Sequence, residues 1–213
     1  CGNEGNITGV KNLGGLCYEL YSGTMTGCYN TGRVTATGTY VGGLMGYAKQ
    51  ATVTNVYNTG DVSTEKTLVG GLIGVMEKSA LTNAYTTGKV TTAAASGAIG
   101  AAVGSADQLS NVYYLGGASA IGDENATAKT AEELKALAPT LGSSFKENTG
   151  CGGYPLLVWQ EARAHQYEDG VCTVCGAKDP AAPYLLDGVT DAAAEVQTGK
   201  SYQLDDLMDG KIF

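Results

Sequence analysis

The sequence repeats itself about every 28 residues, and this period constrains the fold more than any other feature. The phrase Cys-Tyr-Asn-Thr-Gly-Arg-Val at 28–34 returns at 56–62 and at 84–90, with Tyr, Thr, Gly and Val unchanged. A fourth copy begins at Val112, and a degenerate copy begins at Cys1, 27 residues upstream of Cys28. A fixed period of this size indicates stacked structural units, each too small to bury its own apolar face.

A second phrase, Gly-Gly-Leu, keeps step with the first at 14–16, 42–44 and 70–72. Each unit contains three β-rich runs separated by turn residues. In the second unit we expect strands at 33–36, 40–45 and 52–57, and turns at 37–38, 46–50 and 58–60. No 3.6-residue apolar rhythm indicates helix in this part of the chain.

Three short strands per unit predict an all-β fold, a right-handed parallel β-solenoid of about four coils spaced ~4.8 Å apart. Two other architectures compete with it. A β-propeller needs ~40–50 residues per blade, and a β-sandwich would not repeat its sequence.

Stacking turns each repeat column into a ladder of like residues. We expect an apolar ladder facing inward, formed by Val34, Val62 and Val90. We expect amides that hydrogen-bond to one another and tolerate left-handed corners at Asn55, Asn83 and Asn111. A corner that needs positive φ is predicted at Gly32, Gly60 and Gly88.

A column of phenols permits two interpretations. Its members are Tyr29, Tyr57, Tyr85 and Tyr113. Rings one coil apart could stack against sugars or against a partner protein, which makes them candidate binding residues. They could equally stack on one another and close a corner of the fold, and the regular spacing fits both interpretations.

The phrases Val-Gly-Gly-Leu-(Met/Ile)-Gly and Asn-x-Tyr-Asn-Thr-Gly-x-Val together resemble the GLUG motif over residues 1–115. The fourth unit departs from this pattern at 97–100, where its spacing slips by two residues. GLUG repeats recur in bacterial surface and secreted proteins, including adhesin-like proteins. The resemblance implies a β-solenoid on a cell surface and brings no catalytic residues with it.

Residues 116–160 are expected to cap the solenoid. Thr-Ala-Glu-Glu at 130–133 has the form of a capping box and leads into an amphipathic helix of about ten residues that stops near Pro139. We expect the last coil to lie beneath the apolar side chains of Leu134, Leu137, Phe145 and Trp159. The stretch 130–160 resembles the closing segment of such repeats in surface proteins of the Firmicutes type.

The linker at 161–183 holds the strongest metal-ligand candidates. Cys172 and Cys175 form a Cys-x-x-Cys-Gly knuckle that can present two thiolates to a structural zinc, with His165 as a third ligand. Cys151 would complete the set only if the chain folds back. A small disulfide, free thiols or a degenerate remnant are the alternatives.

The other cysteines lie in the repeats. Cys1, Cys17 and Cys28 are expected to be small buried thiols, and Cys1 and Cys28, one coil apart, lie within disulfide reach.

Residues 184–213 resemble the start of a cadherin-like or immunoglobulin-like module, after a Pro-rich linker. Three acidic side chains there could meet calcium or form a solvated turn: Asp205, Asp206 and Asp209. The chain looks like a piece of a longer polypeptide, so we expect tandem domains as its neighbours.

Charge and residue types bound the function. A net charge of −8 argues against nucleic acid, and no apolar run is long enough to span a bilayer. No two acids within 1–115 share a repeat column, so we expect no enzyme and no catalytic residues.

Within these limits, the resemblance to GLUG proteins implies an extracellular scaffold, attached to the cell surface or secreted, that presents surface to host glycans or proteins. The alternative is an accessory or spacer region of a larger secreted enzyme, such as a peptidase or glycosidase.

Overall fold

The structure, a computed structural model, describes residues 1–97, 99–119, 123 and 125–180. The module predicted at 184–213 and its three acidic side chains lie outside the described residues. The chain divides into two compact units. The first comprises 1–148 and 154–161, and the second comprises 149–153 together with the chain from 162 onwards.

Short strands follow one another around each coil of the first unit. The first coil contains β1 (Gly2–Asn3), β2 (Ile7–Gly9), β3 (Leu13–Gly14) and β4 (Cys17–Tyr21). The second contains β5 (Thr24–Asn30), β6 (Val34–Ala36), β7 (Val41–Gly42) and β8 (Met45–Lys49). The third contains β9 (Thr52–Asn58), β10 (Val62–Thr64), β11 (Val69–Gly70) and β12 (Ile73–Glu77). The fourth contains β13 (Ala80–Thr86), β14 (Val90–Thr92), β15 (Ile99–Gly100) and β16 (Val103–Ser105), and β17 (Gln108–Leu115) and β18 (Thr127–Lys129) follow.

Equivalent strands of successive coils pair in parallel, which confirms the predicted β-solenoid of about four coils. Val62 pairs with Val34 and with Val90, so the register equals the sequence period. The first coil keeps the shorter spacing, since Ile7 pairs with Val34. In the fourth coil Ile99 pairs with Val69, which places the two extra residues before β15. The handedness of the coil stays a prediction.

The prediction of three strands per coil was wrong, because each coil has four. The expected run 40–45 is divided into β7 and β8, and the expected turn at 46–50 is mostly strand. The division falls at Gly43 and Leu44. A Cβ on Gly43 would lie 2.2 Å from the Gly71 carbonyl oxygen, so the chain can turn closely here only without a side chain. Leu44 then enters the interior, where it is fully buried.

The ladders fill the interior of the coils. Val34, Val62 and Val90 are buried as predicted and belong to one apolar cluster. A second cluster gathers side chains from the long strands and from the Gly-Gly-Leu phrase, among them Leu44, Leu72, Val53 and Leu81. Burial of these aliphatic ladders is the main favourable term in the folding of the first unit.

Left-handed corners recur from coil to coil, and the prediction for asparagine holds at one of them. Asn55, Asn83 and Asn111 have φ of 55°, 53° and 52°, and Gly27 has 61° in the same column. The amide of Asn83 donates to Asn55 at 3.3 Å, and that of Asn111 donates to Asn83 at 3.0 Å.

The prediction that glycine at 32, 60 and 88 provides a positive φ was wrong. Gly32, Gly60 and Gly88 are absent from the positions with positive φ. They are needed because coils approach closely, since a Cβ on Gly60 would lie 2.0 Å from the Gly32 carbonyl oxygen.

A second asparagine ladder, which the sequence analysis missed, runs through the interior. Asn3 donates to Asn30 at 2.7 Å, and Asn30 donates to Asn58 at 2.8 Å. Each amide also donates to the carbonyl two residues ahead in its own coil, as Asn58 does to Gly60. In the fourth coil the column holds Thr86, whose buried hydroxyl oxygen has no hydrogen-bond partner.

The far end of the stack is closed by side chains that replace the carbonyls of a missing coil. In earlier coils one carbonyl accepts two neighbouring N–H groups, as Leu72 does from Leu44 and Met45. In the fourth coil the Asp123 carboxylate accepts the N–H groups of Ala102 and Val103, at 3.1 and 2.7 Å. The Ser119 hydroxyl accepts from Val90 in the same way, and β18 pairs with β17.

The predicted helix is two short helices, α1 (Ala131–Lys135) and α2 (Ala138–Leu141). The capping box is confirmed, because the Thr130 hydroxyl accepts from the Glu133 N–H while the Glu133 carboxylate accepts from the Thr130 N–H. Pro139 lies in the first turn of α2. An antiparallel pair, β19 (Phe145–Lys146) and β20 (Leu156–Leu157), follows.

Candidate functional site

The tyrosine column is covered by the chain itself. The rings of Tyr29, Tyr57 and Tyr85 stack at 5.3 and 5.1 Å, nearly parallel. They form a separate apolar cluster with side chains of α1, α2, β19 and β20, chiefly Leu134, Leu137, Leu141, Phe145 and Leu157. We call the part of this segment that belongs to the first unit, 131–148 and 154–160, the strap.

The strap follows the tyrosine column from the fourth coil back to the second. Phe145 lies 6.2 Å from the Tyr85 ring, Gln160 hydrogen-bonds the Tyr57 hydroxyl, and Trp159 lies 5.7 Å from the Tyr29 ring. The strap therefore covers a side of the solenoid. It reaches the last strand, where Tyr113 and Leu115 pack against the same cluster, but Trp159 lies over Tyr29 of the second coil and not over the last coil as expected. Trp159 remains 55% exposed, because it reaches only the edge of the cluster.

The buried rings cannot meet a ligand while the strap is in place. Tyr57 and Tyr85 are almost fully buried, and the Tyr85 hydroxyl donates to the Pro155 carbonyl at 2.5 Å. Burial raises the pKa of Tyr85 well above its ordinary value, with Tyr57 and Tyr154 adding to the effect. Tyr113 is partly buried beside the cluster. The geometry supports the mutual stacking of Tyr29, Tyr57 and Tyr85, and a binding role for the four tyrosines stays a prediction.

The second unit brings together the four predicted metal ligands. The chain folds back so that the Cys151 N–H donates to the Arg163 carbonyl at 2.7 Å. A Cβ on Gly150 would lie 2.3 Å from that same oxygen, so the fold-back needs glycine there. Two short strands, β21 (Tyr167–Glu168) and β22 (Val171–Cys172), then form a hairpin that leads into the knuckle.

The knuckle is shaped by backbone hydrogen bonds. The Gly176 N–H donates to the Cys172 carbonyl at 2.9 Å, and Gly176 has a φ of 73°, a conformation that glycine favours. The Cys172 N–H donates to the Ala177 carbonyl at 2.7 Å. This turn directs both thiols of the Cys-x-x-Cys pair to one point.

Ligand atoms of Cys151, His165, Cys172 and Cys175 all lie within 4.8 Å of one another. The sulfurs of Cys151 and Cys172 are 3.7 Å apart, and the Cys175 sulfur is 3.4 Å from His165 Nδ1. A tetrahedral zinc, with bonds of about 2.3 Å to sulfur and about 2.0 Å to nitrogen, separates two sulfurs by about 3.8 Å and sulfur from nitrogen by about 3.5 Å. The donor set fits this ion in both type and spacing.

The thiols differ in their tendency to ionise. Burial opposes ionisation of Cys172, but N–H groups of Cys175 and Val174 and the His165 ring outweigh it and lower the pKa to about 5. The Ala177 N–H and the Cys151 thiol are the main groups that lower the pKa of Cys175. Burial, followed by hydrogen bonds to Cys175 and Cys172, raises the pKa of Cys151 to about 12. The hydrogen bond to Cys172 raises the pKa of His165.

The N–H groups that face the sulfurs were missed by the sequence analysis. They belong to Gln166, Val174, Ala177 and Gly152, in addition to Cys175 of the knuckle itself. Only Gly176, directly after the Cys-x-x-Cys pair, gave a signal of this arrangement in the sequence. N–H groups that donate to thiolates are a second shell of the kind that tunes metal sites.

The cysteines of the solenoid form no such cluster among the described residues. All six cysteines are free, so the disulfide considered for Cys1 and Cys28 is not formed. Cys28 is buried as expected, Cys17 is partly buried, and Cys1 is exposed. The amino group of Cys1 lies 3.5 Å from the Cys28 sulfur.

The fold and its repeats define a β-solenoid repeat protein. The family model described as "The GLUG motif" matches residues 37–63, about one coil. That match spans the Gly-Gly-Leu phrase at 42–44 and the Asn-x-Tyr-Asn-Thr-Gly-x-Val phrase at 55–62. No curated protein and no solved structure matches the chain.

Among the described residues, no helix has the length and apolar character needed to cross a membrane.

Proposed function

We propose that this chain is a non-catalytic, extracellular repeat scaffold of a bacterial surface protein, with a role in adhesion to host glycans or proteins or in display of neighbouring domains. The observation that carries the proposal is the in-register stacking of the coils, with the interior filled by ladders of Val, Leu and Asn. Such a stack is a stiff support with long side faces. The match to the GLUG motif supports the same class.

The partners of the acidic side chains support a structural role. Asp123 and Asp107 accept backbone N–H groups, and Asp61 accepts the Lys89 N–H and lies 3.6 Å from Arg33. Glu77 is engaged by Lys49 and by the Tyr47 hydroxyl. General acid–base catalysis on a sugar needs two carboxyl groups that face one substrate. The carboxylates named here instead serve the backbone or neighbouring side chains.

Retention of the purified chain on immobilised host material tests the proposal. We expect saturable binding to mucin or to a host-cell surface, with no change in the bound carbohydrate or protein after long incubation. Release of reducing sugar or of peptide fragments would overturn the non-catalytic assignment, and the absence of binding to any host surface would overturn adhesion.

We further propose that Cys151, His165, Cys172 and Cys175 hold one structural zinc ion. The second unit supports this, because Cys172 is the one buried residue among its described positions. All three apolar core clusters belong to the first unit. A small unit whose described residues contain no apolar core is of the kind that needs a metal or a covalent link to fold. A disulfide would use only two sulfurs and would leave the convergence of His165 unexplained.

Metal analysis of the intact, reduced chain tests the zinc assignment. We expect about one zinc per chain, lost in Cys172→Ser and in Cys175→Ser, and kept in the control Cys1→Ser, which alters an exposed thiol of the solenoid. Removal of zinc with a chelator should unfold the second unit and leave the strand signal of the solenoid unchanged. Zinc-free protein under reducing conditions, or zinc that persists in both knuckle variants, would overturn the assignment.

A further inference from the structure

A second group of tyrosines, separate from the buried column, lies on another face of the solenoid. Tyr21 is 61% exposed and Tyr18 is 37% exposed, both on β4. Tyr47 lies on the neighbouring strand β8, and the Tyr40 ring packs edge-on against it at 5.8 Å. We call these four residues the outer tyrosine group.

Polar contacts join the group into one patch. Tyr40 lies close enough to Tyr18 to contribute, after burial and Glu19, to a raised phenol pKa. The Tyr47 hydroxyl donates to Glu77, which also pairs with Lys49 at 2.9 Å. Tyr21 is directly paired with Lys49 in the sheet. The patch therefore runs without a break from Tyr18 to Glu77.

Coil stacking does not account for these tyrosines. The column of Tyr18 holds Gly46 and Gly74 in the next coils, and that of Tyr21 holds Lys49 and Glu77. The column of Tyr47 holds Glu19 and Val75. The buried column, in contrast, repeats tyrosine in four coils. Aromatic side chains that occur once per column, next to one another, are not ladder residues.

The backbone at Tyr40 adds an independent observation. Tyr40 has a φ of 59°, and Asn12 and Leu68 adopt the same left-handed conformation in its column. Asparagine tolerates this conformation, whereas a bulky side chain adopts it at a cost. At this corner the first coil has Asn12, which tolerates the conformation, and the second coil has Tyr40, which bears the cost, as Leu68 does in the third. The Tyr40 ring packs against the Tyr47 ring.

The charges of the patch indicate what it can bind. Lys49 and Glu77 neutralise one another, and the other charged neighbours are the Glu19 carboxylate and Lys78, which carry opposite charges. A patch whose charges balance in this way does not favour sialylated or sulfated sugars. Phenol faces pack against the C–H face of a pyranose, and the paired Lys49 and Glu77 offer both donors and acceptors to its hydroxyls.

We propose that the outer tyrosine group, with Lys49 and Glu77, is a binding site for uncharged hexopyranose oligosaccharides. This inference rests on the proposed adhesive function and locates its ligand site on the face formed by β4 and β8. It also separates the ligand site from the tyrosine column that the sequence singled out, which lies beneath the strap.

The test is binding of the purified chain to an array of uncharged oligosaccharides of glucose, galactose, mannose and N-acetylhexosamines, with sialylated counterparts on the same array. We expect binding to at least one uncharged sugar and weaker binding to its sialylated form. Tyr21→Ala should weaken binding at least about fivefold, because a stacking face is lost. Tyr21→Phe keeps the face and should keep the affinity within about twofold.

Val10→Ala is the matched control, since Val10 is an exposed apolar residue of the same coil. It should bind like the parent chain, and circular dichroism should show all three variants folded. Binding that survives Tyr21→Ala, or preference for sialylated sugars, would overturn the inference. If the chain adheres to mucin but that adhesion survives Tyr21→Ala, the adhesive function stands and this site fails. Absence of binding to both mucin and every sugar would refute both.

Discussion

At the scale of single residues, the buried amide column explains why this sequence keeps Asn in the phrase Tyr-Asn-Thr-Gly. Asn58 accepts from the amide of Asn30 and from the Gly60 N–H, and donates to the carbonyls of Gly60 and Gly71. Each amide group thereby hydrogen-bonds to the backbone of its own corner and to a group of the next coil. A buried polar side chain is stable only when it is satisfied in this way. Thr86 interrupts the column and leaves its hydroxyl without a partner.

We therefore expect Thr86→Asn to stabilise the chain by about 1 kcal/mol, because it replaces an unsatisfied hydroxyl with an amide that can accept from the Gly88 N–H and, in place of the Gly71 carbonyl, from Asn58. Urea unfolding monitored by circular dichroism measures the change. The reverse exchange, Asn58→Thr, is the matched control and should destabilise by about 1–3 kcal/mol. Unchanged or lower stability of Thr86→Asn would mean that the column does not extend into the fourth coil.

Tyr85 gives a prediction for alkaline pH. Its pKa is raised by burial, so above about pH 10 the unfolded chain ionises this phenol while the folded chain does not. The free energy of unfolding should fall as the pH rises above that value. In Tyr85→Phe the fall should be shallower by the contribution of one proton, although the variant starts about 1 kcal/mol less stable because the bond to Pro155 is lost. Equal slopes for parent and variant between about pH 9 and 11 would contradict a buried Tyr85.

At the scale of elements, a side of the repeat region and its far end are covered by different parts of the chain. The strap covers the tyrosine column, and the two together form a separate apolar cluster. Asp123, Ser119 and β18 satisfy the backbone groups that a further coil would otherwise bind. Unpaired strand edges favour association with other chains, so this closure protects the stack.

Asp123→Ala should destabilise the chain by about 2–3 kcal/mol, since two backbone N–H groups lose a charged acceptor. Hydrogen exchange should show faster exchange at the amides of Ala102 and Val103, with little change in the second coil. Glu65→Ala, an exposed acid of the third coil, is the control and should alter neither stability nor exchange. Equal protection of the Ala102 amide in parent and variant would argue against this end closure.

Some features of these elements could be predicted from the sequence and others could not. Periodicity was sufficient to predict the parallel stack, its register and the Asn55 corner, because each depends on residues that recur. It could not predict that Gly43 divides a strand, since this depends on the approach of Gly71 from the next coil. The course of the strap could not be predicted either, because Trp159 and Tyr29 are 130 residues apart and no repeated pattern links them. The outer tyrosine group was missed because its members lie in different columns.

The metal ligands were predictable for a different reason. Cys-x-x-Cys-Gly is a local signal, and His165 lies ten residues before Cys175. Cys151 depends on the fold-back at Gly150 and Arg163, a pairing that leaves no pattern in the sequence.

At the scale of the whole molecule, the described chain combines two ways of holding a fold together. The solenoid depends on ladders that bury aliphatic and amide side chains from coil to coil. The second unit brings together a cluster of three thiols and one imidazole, which we propose to be held by zinc. We expect the two units to respond separately to conditions, with urea acting on the first and chelation acting on the second.

The central claim is that like residues lie directly above one another in successive coils. Nuclear Overhauser spectra of the isotopically labelled chain test it most directly. The account predicts contacts between the methyl groups of Val34 and Val62 and of Val62 and Val90, together with contacts between the rings of Tyr57 and Tyr85. Absence of these contacts from the spectra of the folded protein would contradict the stack and every role built on it.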